Sequence, residues 1–382
     1  LIMAGAAVFT TGTGTATSLA DPLVNILWSS KMHIETQNEL WFNQHGLMKK
    51  EDGSEDTFER KADSPIIIKD EFGKERGQRI RLALRKQLTT NVGLADRDGG
   101  SGLNQYTYGV ASMVDQEENM VLHDMEVVVE LMKHAVGFAT PELQDLRTPF
   151  KMEQEAATAL RDWLTGQYEE SILDAHYEGH AAHVIKSTFA SAVPHSRVIW
   201  GGDATAQSDI AAADDMDVAT LRRIYETMRL ANVNPLKVDG KEMFVLLAHV
   251  YSVSDLMADT DIKNTYQNAY TRGGTGSDNP LFSRAEVVYE GIAVHEYNRV
   301  RSPATGTNAA STKRNIVLGA DAIVCGNASE PRLVRRKEDA YEDRYGVGIK
   351  QIFGCSRADY VHINNNTTIN QSSAEMMSWS VA

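Results

Sequence analysis

His176, His180 and His183 are spaced four and three residues apart, and on an unbroken helix their imidazoles would share one face and could hold a zinc-like ion. Such a set would serve a metal-dependent hydrolase. Gly179 falls inside the set and favours a helix end there, no HExxH pattern is present, and Glu178 is out of place as its general base. An ordinary polar helix end is the preferred reading. TRGGTGSDNP (residues 271–280) and RDGGSG (97–102) are glycine-rich, but neither matches GxxxxGK[ST] or a GxGxxG between strand and helix, so both read as loop tips. No GxSxG elbow occurs. Cys325 and Cys355 lie thirty positions apart without CxxC spacing, which supports neither a disulfide framework nor a zinc site and suggests two small buried residues. Arg332, Arg335, Arg336 and Lys337 are followed at once by Glu338, Asp339, Glu342 and Asp343, the pattern of an internally paired, solvated surface. The residues therefore nominate no catalytic, cofactor-binding or metal site.

The one element that could position the histidines is also the most legible. In TPFKMEQEAATALRDWLTGQYEESILDAHYEG, Thr148 suits an N-cap, Pro149 the first helical position and Gly179 a left-handed close. Met152, Ala156, Ala159, Leu160, Trp163, Leu164, Tyr168, Ile172 and Ala175 recur at spacings of three and four, and Glu153, Glu155, Arg161, Asp162, Glu169 and Glu170 form the opposite face. About thirty residues predict a rod of roughly 45 Å, a spine on which the rest is organised, with Gly166 as a place for a bend.

The chain has a net charge of -14 and 42% hydrophobic and 24% charged content, the make-up of a soluble globular protein, and its 382 residues suit two or three lobes or one elaborate domain. The acidic excess argues against a protein that wraps nucleic acid. No apolar run reaches membrane-spanning length, and LIMAGAAVFT lacks the basic flank of a signal peptide, so a cytosol-like compartment and no membrane are expected.

In chain order, residues 1 to about 60 are partly apolar and poorly periodic, which reads as an extended arm that needs a partner surface. Ile80, Leu82 and Leu84 alternate with Arg79, Arg81 and Arg85, a strand with one wet face. The alternating tyrosines of QYTYGV, Tyr106 and Tyr108, offer a return strand, so about 65–114 predicts one long projecting hairpin that must lie against something else. MEVVVELMKHAVGF reads as a strand beside the spine, RVIW as a strand, Asp217 as the N-cap of an amphipathic helix and MFVLLAHV as a buried strand. Ser254 is expected to open a further helix to about Tyr270, and EVVYEGIAVHEY, NIVLGADAIV and YGVGIKQIFG to be strands. The order is α+β.

GKERGQRIRLAL (73–84), LRTPFKMEQEAATALRDWLTGQYEESILDAHYEG (146–179), LFSRAEVVYEGIAVHE (281–296), VLGADAIV (317–324) and DRYGVGIKQIFGCSRADY (343–360), taken as an ordered set, resemble the major capsid proteins of tailed bacteriophages with the Hong Kong 97-like fold, in the podophage coat-protein branch. That resemblance implies an N-terminal arm at 1–60, an extended hairpin loop at 61–118, a peripheral domain with the spine helix at 119–190 and 312–382, and an axial domain at 191–311. It further implies a non-enzymatic homo-oligomer of pentamers and hexamers that forms an icosahedral head in the virion, assembled in the host bacterial cytoplasm. Scaffolding, portal and decoration proteins are its implied partners, and it would enclose double-stranded DNA without sequence-specific binding. An encapsulin-like cellular shell is the nearest alternative, and the hydrolase of His176, His180 and His183 the alternative of a different class. Candidates for contact between subunits are Arg79, Arg81, Arg85, Ile80, Leu82, Leu84, Tyr106, Tyr108, Trp28 and Trp41.

Overall fold

The structure is a computed structural model, which describes residues 32, 35, 36, 38–51, 64–70, 79–85, 122–139, 152–179, 197–231, 233–238, 241–264, 287–303, 311–335, 344–362 and 369–379. Helix α1 (Trp41–Gln44) and strands β1 (Met48–Glu51), β2 (Ile66–Asp70), β3 (Arg79–Arg85), β4 (Leu122–Val128) and β5 (Glu130–Ala139) precede the long helix α2 (Met152–Glu178). Strand β6 (Val198–Trp200), helix α3 (Val218–Leu230), strands β7 (Leu236–Val238) and β8 (Lys241–Ala248) and helix α4 (Val250–Ala258) follow. The remainder is β9 (Val287–Tyr289), β10 (Ile292–Glu296), β11 (Thr312–Leu318), β12 (Ile323–Asn327), β13 (Arg332–Arg335), β14 (Arg344–Arg357), β15 (Asp359–His362), β16 (Ile369–Gln371) and β17 (Ser373–Trp379).

Three sheets organise these strands. The first runs β1-β2-β12-β14-β13, with β5 also on β14; the second runs β6-β17-β11-β8-β10-β9, with β7 on β8; the third runs β16-β15-β4-β3. Strand β8 explains its own apolar run. Phe244, Leu246 and Ala248 pack into a core with α3 and α4, whereas Val245 and Leu247 face the core around α2. A strand covered on both faces has no reason to alternate. Strands β11 and β17, which the family resemblance placed with the peripheral part, pair with β8 and β6 in this second sheet.

Helix α2 runs through Gly166 without interruption. Ala156, Leu160, Leu164, Tyr168, Ile172 and Ala175 are buried as their spacing predicts, and Trp163 stacks on His134 of β5 with centroids 4.6 Å apart. Ala159, by contrast, is exposed, and Glu169 of the supposed wet face is buried. From Tyr168 onward most of the helix is enclosed, because the second sheet closes over the side opposite β14. Gly179 closes it at φ +87°, where a side chain would be strained. Thr148 and Pro149 lie outside the described residues.

The C-terminal end of α2 is tied down by one buried arginine. Arg357, the last residue of β14, donates to the His176 carbonyl at 2.8 Å and makes a two-pronged contact with Asp359 at 2.9 and 2.8 Å. A cation against the last carbonyls of a helix satisfies orphan acceptors and opposes the helix dipole. The Arg357 backbone N–H and the Ser356 hydroxyl both donate to the Gly179 carbonyl.

Several local expectations meet the structure directly. Asp217 caps α3, its Oδ1 accepting from Thr220 N at 2.7 Å, and Val218, Leu221, Ile224 and Met228 are buried. Helix α4 starts earlier than expected, since the His249 ring, and not Ser254, caps it by accepting from Tyr251 N. Two corrections follow from strand pairing. Cys325 and Cys355 are register partners on β12 and β14 and are joined by a disulfide, a pairing that only the antiparallel alignment of those strands creates. Among the described residues the antiparallel partner of β3 is β4, while QYTYGV lies outside them, and β2 is a core strand of the first sheet and not the foot of the hairpin.

Removing the buried cation is expected to cost far more than removing an exposed cap. Arg357→Ala should lower the unfolding free energy of the unassembled subunit by about 3–5 kcal/mol, against about 1 kcal/mol for Asp217→Ala. Urea denaturation followed by circular dichroism measures both, and comparable losses would remove Arg357 from its central place.

Candidate assembly site

The N-terminal segment joins the body where α1 meets α2 and β10. Leu40 and Phe42 are fully buried, and Leu47 and Met48 join the same core. The Trp41 backbone N–H donates to Glu169 Oε1 at 3.1 Å, the Tyr297 hydroxyl donates to Glu169 Oε2 at 3.3 Å, and Arg299 pairs with the same oxygen at 2.9 Å. Glu169 is therefore a buried carboxylate with donors on both oxygens, as burial of a charge requires. Arg161 adds a second tie, with contacts to Glu35 at 3.0 Å and Glu39 at 3.3 Å. Residues 40–51, read as part of an arm seeking a partner, are held by this chain's own core. The Trp41 ring, one of the contact candidates, is occupied within the chain: it stacks on His45 at 4.0 Å and tilts over Tyr297 at 4.6 Å. Trp28 lies outside the described residues.

His295 of β10 completes this aromatic cluster, edge-on to His45 with centroids 5.7 Å apart and edge-on to Trp41 at 6.2 Å. Burial first, and then the neighbouring His45, push its pKa down to about 4. The Tyr297 hydroxyl is pushed upward by burial and by Glu169.

Farther along α2, the Tyr177 ring lies between two guanidinium groups, Arg301 at 4.9 Å and Arg314 at 4.6 Å from its centroid. Its hydroxyl donates to the Arg314 carbonyl at 2.7 Å and accepts from Arg301 N at 3.3 Å. Arg314 makes a bidentate pair with the buried Glu375, and Arg301 pairs with Asp174 and Glu178. Burial pulls the Arg314 pKa down, but the hydrogen bond and charge of Glu375 hold it above the ordinary value. These ties bind α2 to the second sheet as β14 binds it to the first. His176 is fully buried on α2; His180 and His183 lie outside the described residues, and no group of three or more His, Cys, Asp or Glu among the described residues could hold a metal.

The hairpin grows from the third sheet. Strands β3 and β4 pair antiparallel, with Arg79 opposite Val128, Arg81 opposite Glu126 and Arg85 opposite Leu122. Ile80, Leu82 and Leu84 occupy the alternate positions of the same strand. The chain passes from β4 through Val129 directly into β5, so one segment serves the hairpin and then the sheet beneath the spine. Val127 and Val129 are buried with Val324 and Ala358 at this crossing. Gly354 makes the crossing possible, since a Cβ there would meet the Val128 carbonyl oxygen at 2.0 Å. Tyr106 and Tyr108 lie outside the described residues.

Comparison with known proteins places this architecture. The sequence profile of a family described as phage capsid protein matches residues 17–377. The chain is 23% identical over 296 residues to the major capsid protein of Pseudomonas phage KPP25, covering 70% of this chain and 76% of that protein. Among solved structures it is similar to the capsid of Ralstonia phage GP4, with a TM-score of 0.65, 18% identity and coverage of 97% of this chain and 99% of that one. It is also similar to the capsid asymmetric unit of cyanophage Pam1, with a TM-score of 0.61, 19% identity and coverage of 87% and 96%.

Because the folded state holds His295 neutral, stability is undiminished above an ordinary histidine pKa near 6.5 and is lost as the pH falls toward about 4. The loss attributable to this ring at the acid end is about 2–3 kcal/mol. Denaturation of wild type and His295→Phe at both ends of that window isolates it. The variant should lose about 2 kcal/mol less than wild type on acidification, and equal losses would show that the ring is not the titrating group.

Proposed function

The chain belongs to the phage capsid protein family, and on that footing we propose how its parts divide the labour of a shell subunit. It is a major capsid protein with the Hong Kong 97-like α+β fold, a structural component of the virion head and not an enzyme. The observation that carries this is the family match over nearly the whole chain together with a fold shared end to end with a phage capsid. It is a shell-forming oligomer.

Copies gather into pentamers and hexamers that enclose double-stranded DNA, after assembly in the host cytoplasm with scaffolding, portal and decoration proteins as partners. Residues 1–60 serve as an arm whose base is held on the spine, 61–118 as the hairpin loop, 119–190 with 312–382 as the peripheral part and 191–311 as the axial part. A closed shell repeats heterologous contacts, so each subunit needs complementary surfaces on different sides. A hairpin rising from a four-stranded sheet supplies one such surface, because a two-stranded ribbon is only marginally stable alone in water. The net charge of -14 keeps the shell from adhering to packaged DNA while leaving carboxylates to meet a neighbour's cations. Co-purifying double-stranded DNA, and not an enzyme cargo, is the expected content and separates this reading from an encapsulin-like compartment.

Arg79, Arg81 and Arg85 recur at alternate positions of β3 and are the proposed charged face of the hairpin. Reversing all three to glutamate is expected to leave the circular dichroism of the subunit unchanged while abolishing most particle formation, since like charges would then face the acidic neighbour. Particle yield by sedimentation measures this. Normal assembly of the triple variant at physiological salt would turn the arginine row outward to solvent.

A further inference from the structure

The face of the first sheet turned away from α2 has a composition that the fold alone does not require. Register places side chains of β13, β14 and β5 in rows across the three strands. Arg332 pairs with Lys350 and Lys350 with Lys133, so three exposed cations stand side by side about 5 Å apart. The next row on the same face is Val334, Gly348 and Ala135, and the one beyond it pairs Gly346 with Gly137. Leu131, on the far side of the cation row, is 50% exposed, and Val334 is 38% exposed. Lys133, Lys350, Val334 and the glycine and alanine rows line a trough of about 450 Å³, with Arg332 and Leu131 on the same face just outside it.

Each of these features is unfavourable in a subunit standing alone. Like charges directly opposite on antiparallel strands repel. None of Arg332, Lys350 and Lys133 forms an ion pair among the described residues. Glycines facing each other inside a ladder weaken it, and such glycines mark places where another backbone comes close. Exposed valine and leucine beside them add apolar surface that gains from being covered.

We propose that the trough is an interaction surface for a second copy of this chain, which lays an extended, carboxylate-bearing segment over the glycine floor with its acidic side chains against the Arg332, Lys350 and Lys133 row. The proposal rests on the shell reading, which supplies the neighbouring copies. Charge complementarity selects the occupant, because a chain of net charge -14 presents carboxylates widely while this row concentrates three cations. The apolar rim and side-chain-free floor suit a peptide better than a sugar-phosphate backbone, which would use the cations and leave Val334 and Leu131 uncovered.

Two variants test this from opposite directions. Gly137→Val fills the trough, and a Cβ at Gly137 meets nothing within 4 Å, so the subunit has room for it. Lys350→Glu breaks the cation row at its centre and relieves its self-repulsion. Both variants are expected to fold with a melting temperature at or above that of the wild-type subunit, yet to give particle yields reduced by about tenfold, in sedimentation at physiological salt. Should Gly137→Val fail to fold, Lys350→Gln, a neutral change at an exposed position, carries the test with the same expected direction. Variants that assemble as well as wild type overturn the proposal and leave the shell reading intact. Variants that assemble normally but lose bound double-stranded DNA assign the trough to nucleic acid and overturn the second-copy occupant. A wild-type protein that never forms particles overturns the shell reading and this surface with it.

Discussion

A guanidinium with no exposed side-chain surface holds this fold together at its centre. Arg357 ends β14, and its contacts reach the last turn of α2, the Gly179 region beyond it and Asp359 at the start of β15. A buried arginine is tolerable only when its donors find acceptors, and here the carboxylate and the orphan carbonyl of the helix end provide them. The position of the spine, the direction of the longest strand and the start of the third sheet are thus set by one side chain.

From that junction the rest follows by enclosure. Helix α2 is fastened to the first sheet through Trp163 on His134 and Tyr168 edge-on to Phe353, and to the second sheet through Tyr177 between Arg301 and Arg314. Its end therefore cannot stay amphipathic, and Glu169 must be buried and saturated with donors. Strand β4 runs into β5 across Gly354, so the third sheet is continuous in chain with the sheet that carries the spine.

How much of this the sequence discloses depends on the range of the interaction. Local signals read well: the three-and-four spacing of Leu160, Leu164, Tyr168 and Ile172, the Asp217 cap, the Gly179 close and the alternation in β3 all depend on residues near in sequence. What escaped depends on pairings of distant segments. Cys325 meets Cys355 because β12 lies against β14, and Glu169 is buried because Trp41 and Tyr297 arrive from more than a hundred residues away. The segment around α1 reads as an arm because Leu40, Phe42, Leu47 and Met48 fall in or just before a four-residue helix and a four-residue strand, too few in either to show a period. The candidate contact strand β3 and the second half of β4 were legible as strands, while their pairing was not, since the nearer QYTYGV alternates equally well. The row of Arg332, Lys350 and Lys133 shows only once β13, β14 and β5 are in register, because in sequence the three are unrelated.

The central claim is that one chain, framed by the spine helix, carries the complementary surfaces from which copies of itself build a closed shell. A three-dimensional reconstruction by electron cryomicroscopy of the purified particles tests it most directly. The account expects closed icosahedral particles in which each subunit keeps α2 locked between the first two sheets and the β3–β4 hairpin lies against a neighbouring copy. Particles in which that hairpin points into solvent and touches no neighbour, or a protein that stays monomeric at every concentration tried, would contradict it.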